Sequence, residues 1–152
     1  MKLRTMIAAA SFLAAAVLVV AVRWVGPEVG LVGGALRPCP ASPNCVSSEA
    51  PEGDPSRVGP LPIPEGMEPE EAFERLALLV SERASVRTRT PSYLHAVFTT
   101  RLLRFRDDFE ARLDAGAGVI HVRSASRLGY SDLGANRRRV EAIRAAFRSG
   151  PN

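Results

Sequence analysis

The residues best suited to chemistry lie in one stretch, RSASRLGYSDLGANRRR, which runs from Arg123 to Arg139 and contains five arginines and three serines. Arginines, hydroxyl groups and the amides at a helix N-terminus can bind a phosphate or carboxylate group. Arginines also bind protein carboxylates through paired hydrogen bonds. We therefore expect first a structural network of ion pairs and second an anion pocket, and the two can coexist. The candidate ligand-binding residues are Arg123, Ser124, Ser126, Arg127, Tyr130, Asp132, Asn136, Arg137 and Arg139.

The acidic residues that such a network needs lie in the segment RFRDDFEARL. Successive side chains of a strand point to opposite faces, so Asp107 shares an apolar row with Phe109, whereas Asp108 and Glu110 share the other face, which we expect to be solvated. An unpaired charge in an apolar row is costly, and Asp107 therefore needs a partner. The predicted structural ion-pair network consists of Asp107, Asp108, Arg123 and Arg127.

Catalytic arrangements are less well supported by these residues. The serine in GYSDL begins a G-x-S-x-G pattern, but Leu133 stands where the second glycine belongs. The two histidines, His95 and His121, lie within strand candidates and are expected to be ordinary sheet residues. Asp108 and Glu110 could work as a hydrolytic carboxylate pair, which is a weaker alternative. We predict no catalytic residue and no cofactor.

Metal binding is a further alternative for the acidic residues, although nearby arginines would compete for the carboxylates. We predict no metal site. The residues considered for it are Asp107, Asp108, Glu110 and Asp132.

The N-terminal segment predicts a membrane anchor. Residues 6–22 are apolar except for one serine, and the basic residues Lys2 and Arg4 precede them. Extended by three positions, the run reaches about twenty residues, which matches a hydrocarbon core of about 30 Å. Positive charge in front keeps the N-terminus in the cytoplasm and sends the rest of the chain across the membrane. The nearest small-residue pair suited to cleavage, Gly33 and Ala35, lies well beyond the run, so a retained anchor is favoured over a cleaved signal peptide.

The two cysteines, Cys39 and Cys45, lie downstream of this segment in RPCPASPNC. A close pair in an exported chain usually forms a disulfide, and closing so small a loop stabilises the fold by roughly 2 kcal/mol. Reactive or metal-binding thiols are the alternative. A redox pair more typically has C-x-x-C spacing, however, and no histidine lies nearby as a further metal ligand. We expect a structural disulfide.

Two amphipathic helices are predicted from apolar residues at helical spacing. The first covers about 69–84, and Pro69 suits its first turn. The second covers about 137–149, with Asn136 as its N-cap. Their predicted apolar stripes are Phe73, Leu76, Ala77 and Val80 in the first helix and Val140, Ile143 and Phe147 in the second.

Four strand candidates lie between the helices: SVRTRT, YLHAVFTT, RFRDDFEARL and VIHVRSA. They predict an α+β fold, a four-stranded antiparallel meander with the two helices packed on one face. A transmembrane or signal helix and a Pro-rich arm precede it. The arm has no apolar periodicity, so either the disulfide and scattered apolar residues hold it to the domain or it is mobile. The predicted organisation is a signal anchor or signal peptide at 1–26, a Gly/Pro-rich spacer and arm at 27–68 and the α+β domain at 69–152.

The net charge of +4 comes largely from the N-terminal segment. Removing Lys2, Arg4 and Arg23 from the 20 basic residues leaves 17 against 16 acidic residues. The rest of the chain is therefore close to neutral, and Arg137–Arg139 lacks interleaved aromatic residues for base stacking. We expect no nucleic-acid partner.

Three motifs together resemble a known family: RPCPASPNCVSS, YLHAVFTTRLLRFRDDFE and VRSASRLGYSDLGANRRRVEAIR. They are similar to the bacterial and plastid family called domain of unknown function 1499, over about Leu36 to Phe147. The resemblance implies no assigned activity, and it implies membrane segments or a signal peptide in many members. The matching positions are Cys39, Pro43, Asn44, Cys45, Ser47, Ser48, Phe105, Asp107, Asp108, Glu110, Arg123, Ser124, Ser126, Arg127, Gly129, Asp132, Gly134, Asn136, Arg137 and Arg139.

Taken together, these features predict an envelope protein held in the inner (cytoplasmic) membrane through residues 6–25, with its C-terminal domain on the periplasmic side. Its expected role is that of a non-catalytic binding or scaffolding module. The alternative is an anion-recognising domain that uses the Arg-rich stretch to bind a phosphate, a phospholipid head group or a cell-wall fragment.

Overall fold

The structure is a computed structural model that describes residues 28–100 and 104–149. The predicted anchor at 1–26 lies outside the described residues. Within the two described ranges, no helix has the length and apolar character needed to cross a bilayer.

The described elements follow the order β1–β4, α1, β5–β8, α2. The predicted α+β class and its two helices are confirmed. The first helix ends three residues before the predicted boundary, and the second begins two residues earlier than predicted. The elements are β1 (Leu31–Val32), β2 (Ala35–Leu36), β3 (Cys45–Ser47), β4 (Leu61–Pro62), α1 (Pro69–Ser81), β5 (Ser85–Arg89), β6 (Tyr93–Thr99), β7 (Arg106–Asp114), β8 (Val119–Ser126) and α2 (Ala135–Ser149).

The main sheet is antiparallel and has six strands, so the four-stranded prediction is wrong on this point. The meander β5–β6–β7–β8 is present, and β3 and β4 both pair with the outer edge of β8. Cys45 lies opposite Ala125, and Leu61 lies opposite Ile120. Main-chain hydrogen bonds add these two short strands of the arm to the sheet. Because strands of two or three residues have too few side chains to show an alternating pattern, the sequence did not predict them.

The hydrophobic core lies between one face of this sheet and the two helices. The predicted apolar stripes of both helices are buried, which explains why these segments form helices against the sheet. Three apolar residues of the arm, Val46, Val58 and Leu61, are buried in the same core. The arm is therefore held to the domain, as one of the two sequence-based alternatives proposed.

The opposite face of the sheet carries a small hairpin formed by β1 and β2. The backbone N–H of Gly30, just before β1, donates a hydrogen bond to Glu110 in β7 at 2.7 Å. Leu36 in β2 is buried. Short segments thus cover side chains of the sheet that the alternating pattern predicted to be solvated.

A disulfide joins Cys39 to Cys45, with the two Cα atoms 5.6 Å apart. It closes the loop that leads into β3. Since β3 pairs with β8, the disulfide fixes this loop beside the C-terminal end of β8.

We expect the protein isolated without reductant to contain no reactive thiol. Both cysteines are consumed by the disulfide. Labelling the denatured, unreduced chain with a maleimide should add no mass, and the same treatment after reduction should add two labels. Two labels before reduction would contradict the disulfide.

Candidate functional site

Asp107 is a buried acid on the core face of the sheet, with 3% of its surface exposed. Arg139 of α2 donates a hydrogen bond from Nη2 to Asp107 Oδ2, and its guanidinium carbon lies 4.8 Å from the centre of the Phe98 ring. The network predicted from the sequence paired Arg123 and Arg127 with Asp107 or Asp108, and for Asp107 the structure has Arg139 instead. Arg123 belongs to the other face of β8, and the helix packed over Asp107 supplies Arg139 in its place.

Asn136 lies beside this pair and is fully buried. The hydroxyl of Ser124 donates to Asn136 Oδ1 at 2.7 Å, and Arg139 Nη1 donates to the Ser124 hydroxyl at 3.0 Å. Asn136 Nδ2 donates to the backbone oxygen of Asn44 and to Ser126 Oγ, both at 2.9 Å. This side chain therefore joins the start of α2, the end of β8 and the disulfide loop.

The N-cap predicted for Asn136 is wrong because its side chain points into these contacts. Asp132 has the capping role: its Oδ1 accepts the N–H of Gly134 at 2.9 Å, and its Oδ2 accepts the N–H of Asn136 at 2.7 Å. The negative charge of this carboxylate also interacts favourably with the positive end of the helix dipole. Gly134 has a φ of 79°, a conformation that favours glycine.

Asp108 forms the first ion-pair cluster on the opposite face of the sheet and is fully buried. Arg127 donates two hydrogen bonds to it, from Nε at 2.8 Å and from Nη2 at 2.7 Å, and His95 Nε2 lies 2.7 Å from its Oδ1. Burial has the largest effect on the pKa of Asp108 and would raise it, but the bonds from His95 and Arg127 together lower the pKa below its ordinary value. The carboxylate is held in its charged form.

Glu110 forms the second cluster on this face. We expected it to be solvated, but it too is fully buried, so that expectation is wrong. Arg123 Nη1 donates to its Oε2 at 2.7 Å, and the Tyr93 hydroxyl and the Gly30 N–H donate to its Oε1, each at 2.7 Å. Burial, followed by the hydrogen bond to Glu110, raises the pKa of Tyr93 well above its ordinary value. The ion pair between Glu110 and Arg123 thus also accepts hydrogen bonds from Tyr93 and Gly30, so that it joins four segments of the chain.

The remaining members of the predicted ligand set are dispersed rather than convergent. Arg137 is exposed and donates to the backbone oxygens of Arg57 at 3.0 Å and Pro55 at 2.6 Å. Tyr130 lies at the surface with 77% exposure. The arginines of the stretch therefore divide between the two faces of the sheet, the arm and, for Arg138, the backbone oxygen of Leu133 in the preceding loop. They do not form one pocket.

Two further contacts were not predicted from the sequence. Glu49 accepts two hydrogen bonds from Arg112, from Nε at 3.0 Å and from Nη2 at 2.5 Å. His121 Nδ1 lies 3.1 Å from Ser48 Oγ, and burial lowers the pKa of this imidazole. These contacts hold the arm against β7 and β8. The sequence has opposite charges at Glu49 and Arg112 but no pattern that links the two positions.

A surface cleft of about 450 Å³ lies between the disulfide loop and β8. Arg123 lines it from the sheet and Arg37 from the loop, and both have a buried Nε atom without a hydrogen-bond partner. This cleft was not predicted. The residues around it are Glu28, Arg37, Pro38, Cys39, Pro40, Ser42, Asn44, Arg123, Ala125 and Ser126.

The acids weighed above as metal ligands do not converge. Asp107 lies on the core face, Asp108 and Glu110 lie on the other face, and Asp132 caps α2. In the described ranges no group of three or more His, Cys, Asp or Glu residues is placed to hold a metal ion.

These features define a class of protein: an α+β domain whose sheet carries buried arginine–carboxylate pairs on both faces and is tied to a disulfide loop. The profile of the family described as protein of unknown function (DUF1499) matches residues 35–147. The chain belongs to this family, and the resemblance noted in its motifs is confirmed. Searches of curated proteins and of solved structures found no match.

Proposed function

We propose that this protein is a membrane-anchored domain of the cell envelope that binds or scaffolds and does not catalyse. One observation carries the proposal: Asp108 and Glu110, the acids placed to act as a hydrolytic pair, are fully buried and each is neutralised by an arginine. A general acid or base must reach its substrate and exchange a proton with it. These carboxylates instead hold strands and loops together.

The envelope location is supported by two independent features. Disulfides persist in oxidising compartments outside the cytoplasm, and the bridge between Cys39 and Cys45 fits that setting. The apolar run at 6–25, with Lys2 and Arg4 before it, is suited to anchoring the chain with its N-terminus in the cytoplasm. The proposed location is the inner membrane, with the domain on the periplasmic side.

We expect the full chain, expressed in a bacterium with two membranes, to stay with the inner membrane after a carbonate wash. Protease added to spheroplasts should digest its C-terminal domain, whereas a cytoplasmic marker protein should stay intact. N-terminal sequencing should find the chain uncleaved. Recovery in the soluble fraction, protection from the protease or a mature N-terminus near Leu36 would contradict this proposal.

Anion recognition is the second candidate function. The Arg-rich stretch uses its arginines on internal acceptors, which favours a structural role for the stretch itself. The specific observation that favours an anion is the cleft: two arginines line it, Arg37 and Arg123, and each has a buried Nε without an acceptor. The candidate site therefore lies at the disulfide loop rather than at the start of α2.

A further inference from the structure

We propose that the cleft between the disulfide loop and β8 binds the carboxylate group of a small, partly apolar ligand. The inference rests on the proposed binding role and adds a location and a ligand class to it. The volume of about 450 Å³ lies within the range of small-molecule sites, which is about 300 to 1,000 Å³.

The first argument is the unused edge of the Arg123 guanidinium. Arg112 and Arg127 each use the edge formed by Nε and Nη2 to bind a carboxylate through two hydrogen bonds. Arg123 offers Nη1 to Glu110 instead, and its buried Nε has no partner. Only 4% of the Arg123 side chain is exposed, so water does not readily replace the missing acceptor. The Nε of Arg123, which in Arg112 and Arg127 takes part in binding a carboxylate, is therefore left without an acceptor.

The second argument is that two more donors line the same cleft. Arg37 pairs with Glu28 through Nη1 at 2.8 Å, and its own Nε is buried without a partner. The Ser126 hydroxyl accepts from Asn136 at 2.9 Å and donates to no other described residue. Three residues with unused donors, Arg37, Arg123 and Ser126, therefore line one cleft, and a carboxylate has two oxygens with about four acceptor positions.

The third argument concerns charge and shape. The two arginines of the cleft are balanced by Glu28 and Glu110, so the site offers directional donors with little excess positive charge. A singly charged carboxylate suits that balance better than a phosphate dianion. Pro38, Pro40 and Ala125 supply apolar walls for the rest of the ligand.

Two sources share this chemistry, a free organic acid and the C-terminus of a peptide. The test uses the full chain in detergent micelles and follows the arginine Nε–H resonances by NMR during titration. The probes are butyrate, N-acetyl-alanyl-alanine, the C-terminal amide of that dipeptide, and inorganic phosphate. We expect the two carboxylates to shift the Arg37 and Arg123 resonances saturably and the amide to shift neither. Tighter binding of the dipeptide acid would identify a peptide C-terminus, whereas equal or tighter binding of butyrate would identify a free acid.

Variants of residues that line the cleft test whether the change in the arginine resonances comes from binding there. Arg37→Gln and Ser126→Ala should each weaken carboxylate binding about tenfold, because each removes a donor to a charged group. Arg83→Gln is the matched control, since Arg83 is a partly exposed arginine paired with Glu82 on another surface, and it should bind as the wild type does. Unchanged resonances, equal shifts with the amide, tighter binding of phosphate, or wild-type affinity in Arg37→Gln would each overturn the inference. Such a failure would leave the fractionation and protease result, which tests the envelope proposal, unaffected.

Discussion

Replacing Asp108 with asparagine is expected to lower the free energy of unfolding by about 3 to 5 kcal/mol at neutral pH, the range for breaking one side of a buried ion pair. The substitution leaves Arg127 without its two charged acceptors and His95 without its carboxylate partner. Asp108 is fully buried, so water cannot take its place. The measurement is urea unfolding of the full chain in non-ionic detergent, followed by circular dichroism.

The same variant should change the pH dependence of stability. The pKa of Asp108 is lowered in the folded state, so its stabilising contribution is complete above the unfolded value of about 3.9 and is lost as the pH falls through the folded value. The difference between wild type and Asp108→Asn should therefore narrow below about pH 4. A difference that stays constant into that acid range would show that lost packing, and not the charge, causes the effect.

Glu74→Gln provides the matched control for the Asp108 variant. Glu74 also pairs with an arginine, Arg89, but both side chains are exposed. An exposed pair contributes under about 1 kcal/mol, so this variant should unfold close to the wild type. Equal losses in Glu74→Gln and Asp108→Asn would contradict the buried network.

The helices and the meander could be predicted because their signals are local. Phe73 and Leu76 are three positions apart on one helical face, and both are fully buried. Apolar periodicity within one segment reports that segment's own burial. Strands β3 and β4 have no such signal, since their place in the sheet depends on main-chain bonds to a strand about 60 to 80 residues away in the sequence.

The error about Glu110 has a different cause. Its row was assigned to solvent because it is polar, but burial also depends on what covers a row. Gly30, just before the β1–β2 hairpin, and Tyr93 both contact Glu110. The partner of Glu110 could nevertheless have been predicted from the sequence. The turn after Asp114 sets Asp114 opposite Val119, and that register places Glu110 directly opposite Arg123. Opposite charges facing each other across strands indicate a pair.

The partner of Asp107 could not be predicted from cross-strand register. Its cross-strand neighbours in the sheet are Phe98 and Ser126, which carry no charge. Arg139 reaches it from α2, and the position of that helix follows from tertiary packing and from the buried contacts of Asn136. The sequence supports the need for a partner, but the identity of the partner depends on the angle at which the last helix crosses the sheet.

Arg139→Ala tests that pairing and should lower the free energy of unfolding by about 3 to 5 kcal/mol, because Asp107 then stays buried without a counter-charge. The loss includes the contact of the guanidinium with the Phe98 ring. Arg137→Ala is the matched control two residues away. Arg137 is exposed and donates only to backbone oxygens, so its removal should cost about 1 kcal/mol or less.

Two further measurements separate an internal partner from a bound anion. The double variant Asp107→Ala/Arg139→Ala should lose less stability than the sum of its single variants. Each single variant leaves one buried charge without its partner, whereas the double variant removes both charges. The loss in Arg139→Ala should also be the same with and without 10 mM phosphate. If Arg139→Ala matched the wild type in plain buffer and lost only the stabilisation that phosphate adds, the counter-charge would be a ligand. Additive losses in the cycle would likewise remove Asp107 as the partner, because two groups that do not interact lose stability independently.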